Sequence, residues 1–238
     1  MARLFYTPAP DSKVHRVVRH QPTWTILNNL RKSRDELMNK IARHTRHEIR
    51  MARKLGDRIR VERNGENAAR SFLAVYNDFA RSKDGVWPIS QAVLDRYSNY
   101  ADIVVAYLDQ EPAVVNLLLR DPEAARVREM LTASKRLQVD DKKTYRTMGN
   151  LSRLMHWENM CFYKEAGFEM YDWGGIRESN DNDGITEYKM SFGGDTVKEN
   201  TYLCAGSPAV GKLVLALFEN FSKRGRYGKN HLAASNGG

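Results

Sequence analysis

The sequence predicts an α+β protein, because strand-like and helix-like segments follow one another without an internal repeat or a heptad series. Two apolar runs at residues 103–108 and 113–119 flank the polar turn 109–112, a pattern typical of a β-hairpin. Residues 150–166 carry apolar side chains at helical spacing, and the apolar segment 168–173 that follows is typical of a buried strand. A hairpin combined with interrupting helices indicates a largely antiparallel sheet that is covered by helices.

The N-terminal part of the chain is predicted to form an extended arm, a short strand and a basic helix. Three prolines and weak periodicity indicate an extended arm over residues 1–22, and residues 23–27 are a β-type run. Ser33 is a candidate N-cap with a glutamate three residues later, and Gly56 is a candidate helix stop. Residues 34–55 are therefore expected to form one helix.

The remaining elements follow from the same two periodicities. Residues 126–137 fit a strand or a helix by periodicity alone, and we predict a strand. The residues from 225 onward are rich in Gly, Asn and Ser, which predicts a flexible tail. The other predicted elements are strands at 58–62 and 196–203 and helices at 65–82, 90–98, 185–192 and 208–221.

Composition excludes several classes of protein. The 238 residues include 38 Lys+Arg and 29 Asp+Glu, a net charge of +9, and 42% of the residues are hydrophobic, which suffices for a sizeable core. Two distant cysteines support neither a disulfide scaffold nor a zinc site, and the acidic run 181–184 lacks the spacing of a calcium loop, so we expect no metal. Because no signal peptide or membrane span is apparent, we expect a cytoplasmic protein.

The positive charge is concentrated in the predicted helix 34–55. Its apolar residues fall on one face and its Lys and Arg residues on the opposite face. A solvated face is the simplest interpretation of such a charge run. A phosphate-rich ligand, tRNA or another nucleic acid, and peripheral contact with an anionic membrane at the inner face remain alternatives.

A second basic segment precedes the predicted helix 150–166. We interpret Asn150 as the N-cap of this helix, so that unpaired backbone N–H groups at its start could hold a pyrophosphate. The segment has too few glycines for a Walker loop or a dinucleotide fingerprint. The candidate phosphate-binding residues are Lys142, Lys143, Arg146, Thr147, Met148, Gly149 and Asn150.

Three further side chains could carry chemistry. Asp172 follows an apolar strand and precedes two glycines, as a ligand-facing carboxylate or a turn-capping Asp would. Lys189 is flanked by Tyr188 and Phe192 and comes shortly before a Gly-Gly turn. Its side chain therefore either points into a cleft or extends past core aromatic residues to water. His156, on the predicted helix, is either catalytic or a packing residue.

Taken in order, these segments resemble the FemAB-type (peptidoglycan-bridge-like) branch of the GNAT acyltransferase superfamily. The first is an Arg-x-x-Ile-Arg-x-Ala-x-Lys segment. It is followed by a Met-His-Trp and Lys-x-x-Gly pair around a helix, a Tyr-Asp-aromatic-Gly-Gly run and an aromatic-Lys-x-x-Phe-Gly-Gly element. In this sequence they occupy residues 46–54, 155–157 with 164–167, 171–175 and 188–194.

The resemblance implies a single GNAT-like domain at residues 57–224, with an N-terminal arm, strand and basic helix at 1–56 and a flexible tail at 225–238. It implies a mixed, V-splayed sheet in which the strand at 126–137 and the strand ending at Asp172 diverge to admit a thioester donor. The start of the helix 150–166 would hold the donor pyrophosphate. Strands paired along their whole length would contradict this interpretation.

The resemblance also implies residue roles and a function. We expect Lys189 at the transfer site and Asp172 as the general base, with Tyr171 or Tyr188 protonating the leaving group. Alanine at Lys189 or Asp172 should then reduce turnover and leave the fold intact. For the acceptor site the candidates are Trp87, His156 and Arg177.

The leading expectation is an N-acyltransferase that moves an acyl group, acetyl in the simplest case, from acyl-CoA to an amino sugar or another envelope-glycan precursor. This role belongs to polysaccharide and cell-envelope biogenesis. One alternative is a FemAB-type aminoacyltransferase that uses aminoacyl-tRNA. A second alternative is a non-catalytic module that uses this fold to bind anions or nucleic acid.

Overall fold

The computed structural model describes residues 2–6, 17–176, 184–205, 207 and 209–212. The chain divides into two compact units, one formed by Thr25–Val197 and the other by Met1–Trp24 with Lys198–Gly238. The boundaries between these units fall after Trp24 and after Val197, whereas the predicted domain boundaries lie at residues 56 and 224. The predicted flexible tail lies outside the described residues.

The described chain contains eight strands and six helices, apart from short 3-10 turns and the single helical turn at 209–212. The strands are β1 (Ala2–Tyr6), β2 (Val17–Asn29), β3 (Ile59–Arg63), β4 (Ala101–Leu108), β5 (Glu111–Asp121), β6 (Arg126–Ser134), β7 (Met170–Ile176) and β8 (Asp195–Cys204). The helices are α1 (Arg34–Lys40), α2 (Arg43–Arg53), α3 (Ala68–Ser82), α4 (Gln91–Asp95), α5 (Lys142–Glu165) and α6 (Gly184–Met190).

The unit Thr25–Val197 is built on a mixed sheet with the strand order β2-β7-β6-β5-β4-β3. Strands β3, β4, β5 and β6 pair antiparallel in succession, and β6 pairs parallel with β7. The predicted hairpin is β4–β5, and the ambiguous run at 126–137 is strand β6 followed by a 3-10 turn. The α+β class and the mixed sheet are confirmed.

In the other unit, β1 pairs antiparallel with β8, from Ala2 opposite Cys204 to Tyr6 opposite Asn200. The first half of β2 lies on the other side of β8. Of the predicted arm over residues 1–22, the described residues 2–6 and 17–22 are extended, and they are strand residues that pair in a sheet. Of the helix predicted at 208–221, the described part is helical at residues 209–212.

The basic helix predicted over 34–55 is two helices, α1 and α2. Ser33 caps α1 as predicted, because its hydroxyl accepts from the Glu36 N–H and the Glu36 carboxylate accepts from the Ser33 N–H. The break falls at Ile41, which has extended backbone angles and a buried side chain. Ala42 then donates its N–H to the Ser191 carbonyl at 2.8 Å, a bond that an uninterrupted helix would not form. Packing of Ile41 therefore overrides the local helical pattern.

Helix α5 begins at Lys142, so the prediction that Asn150 caps it is wrong. The N-cap is Asp141, whose carboxylate accepts from the Thr144 N–H at 2.8 Å. Asn150 lies in the third turn, and Gly149 before it is a buried helical residue rather than part of a loop. A Cβ at Gly149 would come 3.4 Å from the guanidinium carbon of Arg136, so this part of the helix packs beside the Arg136 side chain.

Two hydrophobic clusters cover the two faces of this sheet. Alternate residues of β4 contribute to different clusters, Val104 to one and Val105 to the other, so the clusters lie on opposite faces. The α5-side cluster joins buried residues of α1, α2, α5 and β7, and the α3-side cluster joins those of α3, α4 and the opposite face of the hairpin. None of the described helices has the length and apolar character needed to cross a bilayer.

Candidate active site

Strands β6 and β7 diverge after a short parallel pairing, and we call this point the fork. Their register runs from Arg126 opposite Met170 to Arg128 opposite Asp172. Beyond it, β6 continues to Ser134 in register with β5. The predicted divergence is thus confirmed, and it places residue 129 at the opening.

Glu129 is the first β6 residue beyond the paired segment, and its side chain is buried. Its pKa is raised to about 7, mainly by burial; the charge of Lys189 acts to lower it and that of Asp172 to raise it. Its Oε2 lies 3.3 Å from His156 Nδ1. A carboxyl group that is half ionised at neutral pH can both accept and release a proton. Sequence reasoning missed Glu129, because nothing in the sequence distinguishes it from an exposed strand residue.

His156 is enclosed by aromatic rings and faces Glu129 from α5. Its ring centroid lies 4.8 Å from that of Trp173 and 5.8 Å from those of Tyr188 and Phe192. Burial, with the charges of Lys189 and Arg153, lowers its pKa to about 3. The imidazole is therefore neutral, and the contact with Glu129 is a polar contact of a neutral ring rather than an ion pair.

Lys189 lies in the last turn of α6 and approaches the same pair of residues. Its ammonium donates to the Gly175 carbonyl at 3.1 Å, and its charge lowers the pKa of both Glu129 and His156. The structure thus brings together Lys189 and His156, which the sequence assigned to the transfer site and the acceptor site.

The two predicted tyrosines lie in the same cluster. The Tyr171 hydroxyl is 3.4 Å from His156 Nδ1, and the Tyr188 hydroxyl is 3.0 Å from the Ser152 hydroxyl. Burial raises the pKa of both phenols above their ordinary value, so both keep their proton at neutral pH. Each therefore remains a hydrogen-bond donor, as the predicted role requires.

Asp172 is completely buried, and donors surround its carboxylate. Oδ2 accepts from Arg126 at 2.5 Å and from Arg128 at 2.6 Å. Oδ1 accepts from the Thr25 hydroxyl and from the Gly174 N–H at 2.9 Å. Both carboxylate oxygens are thus already occupied by donors, so this geometry disfavours the base role that the sequence suggested.

The glycine at position 174 lets β7 pass close to β6 at the fork. Its φ of +72° lies in the left-handed region, and a Cβ there would come 2.8 Å from the Glu129 carbonyl oxygen. No other residue type fits both conditions without a shift of the backbone. Gly174 therefore allows β7 to pass close to the Glu129 backbone just beyond the last paired residues.

The predicted phosphate-binding residues occupy the first three turns of α5. Lys142, Lys143 and Arg146 are exposed, whereas Thr147 uses its hydroxyl to bond the Lys143 carbonyl. Met148 and Gly149 are buried in the helix and Asn150 is half-buried, so these three residues do not form a phosphate loop.

Arg136 adds a cation at the same helix start that the sequence analysis missed. It lies in the 3-10 turn after β6, with its guanidinium carbon 3.9 Å from the centroid of the Tyr145 ring. Because Asp141 already fills the cap position, an anion here would be held by side chains more than by free backbone N–H groups.

The predicted acceptor residues are not brought together. Trp87 lies in the loop between α3 and α4 and is 81% exposed, whereas His156 is buried in the core of the site. Arg177 lies outside the described residues. Of the two described candidates, Trp87 is exposed in a loop and His156 is enclosed in the core, so they do not share a site.

Helix α2 presents a basic face next to the segment that carries Lys189. Thr45 on its buried side donates to the Ser191 hydroxyl at 2.9 Å, and the only acidic residue of the helix, Glu48, turns to Arg153 at 2.6 Å. We call the exposed residues on the outer side the α2 basic face; they are Arg43, His47, Arg50 and Lys54.

Among the described residues, no group of three or more His, Cys, Asp or Glu side chains is placed to hold a metal ion. The predicted acidic run at 181–184 falls largely outside them.

Comparisons with known proteins identify the fold. No family model matches the chain, and no curated protein is similar in sequence. Among solved structures, FemX superposes with a TM-score of 0.59 at 14% identity, covering 78% of this chain and 62% of FemX.

Two further solved structures are similar. L-PGS from Bacillus licheniformis has a TM-score of 0.54 at 12% identity, with 84% of this chain and 66% of that chain covered. The C-terminal domain of a protein described as a lysylphosphatidylglycerol synthetase, from Agrobacterium fabrum, has a TM-score of 0.52 at 11% identity, with 83% and 65% covered. The chain spans less than two thirds of the length of each of these three proteins. It has the GNAT-like fold that these proteins share, as the motif resemblance predicted.

Proposed function

We propose that this chain is an acyltransferase that joins an activated acyl group to an amine. The observation that carries the proposal is the position of Glu129, a buried carboxyl group with a pKa near neutrality at the point where two parallel strands separate. Ligands of α/β sheets commonly bind where neighbouring strands part, and a base with a pKa near the working pH is efficient. Both conditions meet at this residue.

The proposed reaction needs no covalent enzyme intermediate. Glu129 takes a proton from the acceptor ammonium, and the freed amine nitrogen attacks the carbonyl carbon of the donor ester or thioester. The Lys189 ammonium stabilises the oxyanion that forms. The bond from the carbonyl carbon to the leaving oxygen or sulfur then breaks, and the leaving group takes a proton from Tyr188 or Tyr171. The phenolate regains a proton from the nitrogen of the new amide, and Glu129 releases the proton it accepted to solvent. The products are an amide and the free carrier.

We favour aminoacyl-tRNA as the donor. The α2 basic face carries four residues on one side of a helix that is bonded to the segment following Lys189. Such a face suits a polyanion, whose binding is dominated by phosphate contacts. The site's side chains would then face the aminoacyl end while α2 contacts the RNA backbone.

Acyl-CoA is the second candidate donor, and the cations at the start of α5 favour it. Arg136, Lys142, Lys143 and Arg146 could neutralise a pyrophosphate through their side chains. Against it stands the Asp141 carboxylate at the cap of the same helix. The acceptor class, an amine of a sugar or envelope-glycan precursor, rests on the sequence resemblance.

The donor is tested by filter binding of aminoacyl-tRNA and by thermal shift with acetyl-CoA. Arg50→Glu is compared with Arg96→Glu, which makes the same charge change at an exposed residue outside the α2 basic face. We expect Arg50→Glu to weaken tRNA binding by about tenfold. The slope of log K against log salt concentration should also become shallower by about one, as for the loss of one phosphate contact, while Arg96→Glu has little effect on either quantity. Equal loss in both variants, or stabilisation by acetyl-CoA alone, would contradict aminoacyl-tRNA as the donor.

The transfer step is tested with Glu129→Gln in the presence of the donor that binds. We expect donor binding to persist and transfer to an amino sugar such as glucosamine to fall by about 100-fold or more, the usual contribution of a general base. Wild-type transfer in this variant would remove the base assignment. Binding without transfer in the wild-type chain would instead favour a non-catalytic binding module.

A further inference from the structure

A cavity of about 380 Å³ lies on the α3 side of the sheet, opposite the face that carries the transfer site. Its floor is formed by Ala68, Leu94, Ala101 and Leu117, which are buried residues of the α3-side cluster. Glu129 instead lies among residues of the α5-side cluster. The volume is in the range of pockets that hold small molecules, and the acyl-transfer chemistry proposed above does not use it.

One cation lines this cavity and is anchored from behind. Arg120 Nε lies 3.3 Å from Asp102 Oδ1, and an Nη of Arg120 donates to the Asn99 carbonyl at 3.3 Å. Asp102 is itself buried and accepts from the Tyr163 hydroxyl at 2.7 Å and from the Asn64 amide at 2.8 Å. These contacts hold the guanidinium beside Asp102, and Arg120, whose side chain is 35% exposed, is among the residues that line the cavity.

Two carboxylates line the same cavity. Glu66 precedes α3, and Asp95 ends α4, where its Oδ1 accepts from the Gln91 amide at 2.8 Å. Both side chains are exposed, so they lie toward solvent while the floor is apolar. The cavity thus combines one fixed cation, two anions and a hydrophobic surface.

We propose that this cavity binds a small zwitterion with an apolar body, of the size of an amino acid or a dipeptide. Its carboxylate would pair with Arg120, a geometry for which the planar guanidinium is well suited. Its ammonium would lie between Glu66 and Asp95, and its apolar part would cover Leu94 and Leu117. An anion alone would meet two carboxylates, and an amine alone would leave the guanidinium without its ligand partner.

The test is saturation-transfer NMR and calorimetry with three probes that share one apolar body. These are L-phenylalanine, 3-phenylpropanoate, which lacks the ammonium, and phenethylamine, which lacks the carboxylate. We expect phenylalanine to bind with a Kd of about 1 mM or tighter and each half-charged probe to bind at least about tenfold more weakly. Absence of saturable phenylalanine binding, or equal binding of either half-charged probe, would overturn the proposal.

Variants locate the binding to this cavity. Asp95→Asn keeps an oxygen for the Gln91 amide, and Glu66→Gln is a second change at the exposed side; each should weaken phenylalanine binding about fivefold to tenfold. Ala69→Leu, on the lining of the cavity, should abolish it by filling the space. Asp57→Asn, at an exposed carboxylate outside the cavity, should change nothing.

Thermal melts of each variant verify folding before binding is compared. Phenylalanine binding that survives both Ala69→Leu and the double change of Glu66 and Asp95 would refute this location. Because every readout is binding of a probe at the α3 side, failure of the transferase proposal leaves this result unchanged, and the reverse also holds.

Discussion

Replacement of Glu129 by Gln should stabilise the protein in alkaline solution, although it removes the proposed base. The folded state disfavours the ionised carboxylate, since burial raises the pKa of Glu129 from its ordinary 4.5 to about 7. In the unfolded chain the same group ionises near its ordinary pKa. Wild-type stability contributed by this residue is therefore greatest in acid and falls as the pH rises from about 4.5 to 7.

The size of the effect follows from the two pKa values. Relative to an uncharged side chain, ionisation of Glu129 in the unfolded state costs the wild type about 1 kcal/mol of stability at pH 5 and about 3 kcal/mol at pH 8. Glutamine has nearly the same shape and does not ionise. The variant should thus gain about 2 kcal/mol relative to wild type between these pH values, or about 4 °C in Tm for a chain of this size.

Urea unfolding at pH 5, 6.5 and 8 measures this difference directly. His156 also titrates between the folded and unfolded states, but it is present in both proteins and its contribution largely cancels. Glu123→Gln is the matched control, because Glu123 is exposed in the turn before β6. A stability difference for Glu129→Gln that does not change with pH would refute the assignment of a raised pKa to this residue.

Three other substitutions test neighbouring features. Asp172→Asn should lower the free energy of unfolding by about 3 kcal/mol or more, because Arg126 and Arg128 lose a buried charge partner. If the variant instead lost transfer activity but unfolded in urea like the wild type, Asp172 would again be a candidate catalytic group. Lys189→Met should reduce the rate of transfer and leave the thermal melt almost unchanged. It should also shift the acidic limb of the pH–rate profile to higher pH, since Lys189 lowers the pKa of Glu129. An acidic limb at the wild-type pH would show that Lys189 does not influence the ionisation of Glu129. Gly174→Ala should cost about 1–2 kcal/mol in urea unfolding from its positive φ alone, and an unchanged midpoint would contradict the close approach of the strands.

Local sequence patterns predicted those elements whose stability is mostly local. The β4–β5 hairpin follows from two apolar runs and a polar turn, and α1 begins at Ser33 because the capping box needs only residues within four positions. The divergence of β6 from β7 was not readable from periodicity. It followed from the motif resemblance alone, because strand pairing depends on residues more than 40 positions apart.

The start of α5 shows how a plausible local signal can mislead. Both Asp141 and Asn150 are good N-cap residues, and the glycine before Asn150 favoured the later start. The structure uses Asp141, whose carboxylate accepts from the Thr144 N–H, and the helix continues through Gly149, which packs beside the Arg136 side chain. That packing is a tertiary contact, and no pattern within the helix reveals it.

The two carboxylates at the fork show why the catalytic residue was also beyond local reasoning. Asp172 and Glu129 lie on neighbouring strands, one register step apart, yet one meets two guanidinium groups and the other a neutral imidazole. Sequence position suggested Asp172, because it ends an apolar strand before two glycines. Charge and burial, which depend on the assembled sheet, favour Glu129.

These opposite environments are connected. The bonds from Arg126 and Arg128 to Asp172 join β6 to β7 through the last paired residues, and the pairing stops one residue before Glu129. A fixed ion cluster on one side of the fork and an aromatic enclosure on the other thus surround Glu129, which is desolvated at the point where the strand pairing ends. Two carboxyl groups with such different surroundings can carry different roles, and here one organises the strands while the other is available for proton transfer.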